Sequence, residues 1–172
     1  MNNFTKYAAM LVFGWFCFGC GKIAPEQSVP VPADCQKFLD KYFEAVKSKD
    51  IAKIQEFSSH VSHVNRERMP EESIKMMGQT QGKFAVMVFQ KMTDQCGDFE
   101  SYSVLVAKET TVTREELEAK KMEGTGLEGN RAQIVCKARF SKKNPVQIDL
   151  HLFKETPESD YWVDAWSYQA AP

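Results

Sequence analysis

Three groups of residues in this chain carry side chains able to do chemistry. His60, His63 and Glu67 fall at i, i+3 and i+7, so a helix would place them on one side, in reach of a zinc ion. They sit in a polar stretch, residues 58–69, with no further strong ligand nearby, and a solvated loop is the expected reading. Asp149 and His151 alternate on one strand face, a spacing that suits an acid/base pair. Val146, Ile148, Leu150 and Leu152 point the other way on that strand, which predicts the pair on the outer side. Asp164 stands between Trp162 and Trp166, with Tyr168 next in the same row. A carboxylate between two indoles is costly to bury unless it is hydrogen-bonded. Strict alternation therefore predicts a partly exposed strip of Trp162, Asp164, Trp166 and Tyr168 that serves as a contact surface. A second copy of the chain or another protein is the partner such a strip would take. Filling of the core by the same rings is the competing reading. No serine lies in a GxSxG setting and the glycines of residues 123–129 sit in a charged loop, so the sequence points to no catalytic motif, cofactor or metal.

The elements that must hold these groups read clearly. Cys35, Phe38, Leu39, Tyr42, Phe43 and Val46 recur at helical steps after Asp34, an apt N-cap. Asp50 caps a short second helix through Ile51, Ile54 and Phe57. Pro70, Glu71 and Glu72 begin a third, whose inward face is read as Ile74, Met77, Gln81, Phe84 and Val88; Gly97 ends it. From Phe99 the period is two: Tyr102, Val104 and Val106 alternate with Ser101, Ser103 and Ala107. A charged, Gly-rich stretch with a helical turn follows, then three strands. Helices first and hairpins after predict an α+β fold with an antiparallel sheet covered on one face.

The start of the chain is of another kind. Lys6 precedes an uncharged run over residues 7–18, then Gly19 and Cys20. Basic, then apolar, then small is the order of a secretory signal, and the run is too short for a membrane span of roughly 20 residues. The Gly19-Cys20 junction resembles the lipobox of bacterial lipoproteins. That resemblance implies cleavage before Cys20, acylation of Cys20 and attachment to a membrane. In lipoproteins of double-membraned bacteria an Asp after the cysteine favours the inner membrane. Gly21 and Lys22 stand here, which implies the periplasmic side of the outer membrane. The chain thus divides into a signal peptide (1–19), a lipidated Cys20 with a Pro-containing tether (20–33) and one domain (34–172).

Composition agrees with that division. Apolar content of 43% and charged content of 26% are those of an ordinary globular domain. The net charge of −1 argues against a nucleic-acid partner. Cys35, Cys96 and Cys136 remain beyond Cys20. If the first and third helices run antiparallel, Cys35 and Cys96 meet, and an oxidising compartment would bridge them. Such a bridge closes a loop of about 60 residues and adds roughly 4 kcal/mol. Cys136 is then left as a buried thiol in its strand's inward row.

In detail the α+β order resembles the nuclear transport factor 2-like, or cystatin-like cone, superfamily. FLDKYFEAVKSKDIAKIQEF, with its Ser48-Lys49-Asp50 junction, CGDFESYSV and YWVDAWSY carry the likeness, which covers residues 34–169. It implies strands curled about the first and third helices around a pocket. Members include enzymes, binding modules and exported proteins, so the fold does not choose among them. A binding or assembly protein of the envelope is the expected function. The alternative is a dehydratase- or isomerase-like enzyme using Asp164 or the Asp149/His151 pair.

Overall fold

A computed structural model describes residues 29–62, 69–119, 127–143 and 145–170. Helix α1 (Ala33–Ser48) buries the face read from the sequence: Cys35, Phe38, Leu39, Tyr42, Phe43 and Val46, with Ala45. Pro32 rather than Asp34 occupies its N-cap and makes no side-chain cap bond. Asp34 lies in the first turn, where its charge suits the helix dipole, and its carboxylate accepts from Lys154 Nζ at 2.8 Å. Lys49 ends α1 at φ 55°, which turns the chain sharply. Asp50 then caps α2 (Ile51–Phe57), its Oδ1 accepting from Lys53 N at 3.1 Å.

Helix α3 (Glu71–Cys96) starts after Pro70 with two acids in its first turn and stops at Gly97, φ 88°. Its 26 residues make it about 39 Å long. Its buried side is not the one expected. Gly78, Gly82, Ala85, Phe89, Met92 and Cys96 face inward, whereas Phe84 is 55% exposed. The two glycines explain the rotation. A Cβ on Gly78 would sit 2.1 Å from Ser59 O, and one on Gly82 would sit 2.8 Å from Gln55 O. The close approach of α3 to α2 and residues 58–59 needs the glycine face inside, and the larger side chains turn outward.

Four strands follow, β1 (Phe99–Val112), β2 (Gly129–Phe140), β3 (Val146–Lys154) and β4 (Trp162–Ala170), with a short helix α4 (Arg114–Ala119) after β1. They pair antiparallel in the order β1-β2-β3-β4. The fold is therefore α+β, helices first and an antiparallel sheet after, compatible with a cone. Ala132, Ile134, Cys136, Ala138 and Phe140 of β2 and Val146, Ile148, Leu150 and Leu152 of β3 meet α1 and α3 in one core. Phe43 stacks on Tyr102 of β1 with ring centroids 4.0 Å apart, while Gln81 and Gln95 of α3 bond to β4. The two long helices thus lie over opposite edges of the same sheet face.

Both outer strands carry register shifts, and a bulge reverses the faces beyond it. In β1 the shift falls between Val104 and Val106. Tyr102 and Val104 face the core as expected, but Ala107 replaces Val106, which is 45% exposed. In β4 the shift leaves Asp164 outside the pairing, between Val163 opposite Leu152 and Ala165 opposite His151.

Candidate functional site

The β4 bulge divides the predicted aromatic strip. Trp166 and Tyr168 stand opposite Leu150 and Ile148 and pack partly buried against the helix-side core. Tyr168 Oη donates to Gln95 Oε1 at 2.9 Å. Trp162 stands opposite Phe153 on the other face of the sheet. It is only 8% exposed, packs against Phe153 at 5.1 Å and stacks with His60 at 4.9 Å. The four residues expected to share one exposed strip therefore do not share a face, and Trp162 is buried.

Asp164 has a structural task at the bulge. Its Oδ1 accepts from Ser62 Oγ at 2.6 Å and from Ser62 N at 3.4 Å. Gln81 Nε2 donates to Asp164 O at 3.0 Å, so α3 holds the same bulge from the other side. A carboxylate engaged by a hydroxyl and an amide holds loop 58–62 in place.

Asp149 and His151 do come together, on the outer sheet face as the alternation predicts. His151 Nε2 lies 3.6 Å from Asp149 Oδ1, and Gln133 Nε2 donates to Asp149 Oδ2 at 3.3 Å. The pair lies on the opposite face from the helices, so it does not converge on a cavity between helix and sheet. A polar pocket of about 110 Å³ opens beside the start of α1, lined by Asp34, Lys37, Lys41, Ser159, Asp160 and Tyr161. It is well below the roughly 300 Å³ at which small-molecule sites begin. A broader groove of about 450 Å³ lies between Ser59, His60 and Val61 and the first turns of α3 at Glu71 and Ile74. No group of three metal-ligating side chains occurs among the described residues. His60 stacks on Trp162, and His63 and Glu67 lie outside the described residues.

Cys136 is the buried thiol expected, but Cys35 and Cys96 depart from expectation. Cys35, Cys96 and Cys136 are buried free thiols, and no Cys35–Cys96 bridge is formed. The reason is topological. Lys49, after the end of α1, pairs with Asp98, after the end of α3, at 2.6 Å. The two helices finish together, and Cys35 lies fourteen residues back, about 20 Å along α1. A bridge needs Cα atoms within about 7 Å. Cys35 instead sits against the Tyr161 hydroxyl, and Tyr161 Oη donates to Glu109 Oε1. Burial pushes the Cys35 thiol up, and pushes Cys136 up to about 12. Neither is a ready nucleophile. Beside Cys35, Lys154, 4% exposed, donates to Asp34 and lies 4.8 Å from the centre of the Tyr161 ring. The hydrogen bond and charge of Lys154 hold the Asp34 carboxyl below its usual range. This polar group closes one end of the core.

What remains exposed and unexplained by packing is the outer face of α3. Met76, Phe84 and Met87 are 58%, 55% and 56% exposed, three of the four large apolar side chains exposed among the described residues. Lys75, Lys83 and Lys91 are exposed on the same helix at eight-residue steps. Sequence reasoning missed this face because it assigned Phe84 to the core. The signal was present in Gly78 and Gly82, whose helical spacing marks a close-packed side and leaves the large residues opposite.

Cys20 lies outside the described residues. Among the described residues no helix is long and apolar enough to cross a membrane. The chain matches no protein-family model, no curated protein and no solved structure.

Proposed function

We propose that this is a lipid-anchored protein of the bacterial envelope, attached through Cys20 on the periplasmic side of the outer membrane, that works by binding or assembly through the outer face of α3. The carrying observation is the exposed row of Met76, Phe84 and Met87 on a helix whose other side is fully packed. An apolar row of this kind on a folded domain marks a contact surface. The anchoring half of the reading rests on the residue order of positions 1–22 and its likeness to a lipobox. The likeness to nuclear transport factor 2-like domains is part of the same proposal and agrees with the α+β architecture.

The dehydratase- or isomerase-like alternative loses support from the commitment of Asp164 to Ser62 and from the outward placement of Asp149 and His151. A photoreactive side chain in place of Phe84, in intact cells, tests the contact face. Covalent products at position 84 and none at exposed Lys108 are expected; equal products at both contradict it. Acyl labelling tests the anchor: wild type should take label and Cys20→Ser should not, and equal label in both contradicts it.

A further inference from the structure

We draw no further inference here: the strongest candidate, the exposed apolar face of α3 at Met76, Phe84 and Met87, belongs to the contact surface already described, and nothing in the structure shows what covers it.

Discussion

Trp162 and Trp166, four residues apart on one strand, lie on opposite faces of the sheet because Asp164 between them is left out of the pairing with β3. A row that alternation would place together is thereby split. One indole covers Phe153 under His60, and the other joins the core beneath the helices.

The bulge depends on the Asp164 side chain. Asp164→Ala removes the acceptor for Ser62 Oγ and N, and Ser62 is itself fully buried. Leaving that hydroxyl unsatisfied should cost about 1–3 kcal/mol. Urea unfolding of wild type and variant measures it. Asp164→Asn, which keeps an acceptor, should recover part of the loss; an Asp164→Ala variant as stable as wild type would show that the bulge does not need the carboxylate.

Glycine to alanine inside a helix ordinarily stabilises by about 0.5–1 kcal/mol. Here the sign should reverse. At Gly78 the new methyl meets the backbone of Ser59, and at Gly82 it meets Gln55 O, so each substitution should destabilise by about 1–3 kcal/mol. Thermal or urea unfolding of the two single variants decides the sign, and stabilisation by either would mean that α3 does not approach α2 as closely as described.

Asp34 is depressed in the folded state, first by its hydrogen bond from Lys154 and then by the lysine's charge. Its contribution to stability is therefore present above the unfolded value of about 3.9 and is lost as pH falls through the lower folded value. Asp34→Asn should lower the urea midpoint at pH 7 because Lys154, buried, loses its charged partner. It should also flatten the loss of stability below pH 4. Lys154→Met removes the buried charge itself and should cost less at pH 7 than Asp34→Asn. The reverse order would contradict the assigned roles.

The three domain cysteines should behave as enclosed thiols. Cys35, Cys96 and Cys136 should resist a water-soluble thiol reagent in the native protein and react fully once it is unfolded. A non-reducing peptide map should find the peptides of all three unbridged. A Cys35–Cys96 peptide pair would contradict the joint ending of α1 and α3.

The residues that were legible in the sequence are those whose pattern is unbroken. The face of α1, the Asp50 cap, the Gly97 stop and the inward rows of β2 and β3 follow from period and cap chemistry alone. The α+β order follows from the sequence of those elements. Three features were not legible, each for a physical reason. Hydrophobic periodicity weighs large side chains, so it placed Phe84 inside and overlooked that Gly78 and Gly82 permit a backbone approach which no large residue allows. The one-residue bulges in β1 and β4 leave no mark in composition, yet each exchanges the two faces, turning Val106 out of the core and Trp166 and Tyr168 towards it while Trp162 stays on the outer face. The relation of Cys35 to Cys96 depends on where α1 and α3 end in space, which the Lys49–Asp98 pair records and the spacing of the cysteines does not. The outward placement of Asp149 and His151 was legible, because β3 keeps strict alternation up to Leu152.

The central claim is that the outer face of α3, and not the aromatic strand, is the working surface. Methionine oxidation by dilute peroxide, read residue by residue by mass spectrometry, tests it on the unaltered chain. In detergent-solubilised protein, Met76 and Met87 should oxidise quickly and Met92, 1% exposed, slowly. In intact cells Met76 and Met87 should become several-fold slower than in the solubilised protein while Met92 stays as it was. Unchanged oxidation of Met76 and Met87 in cells would contradict the account.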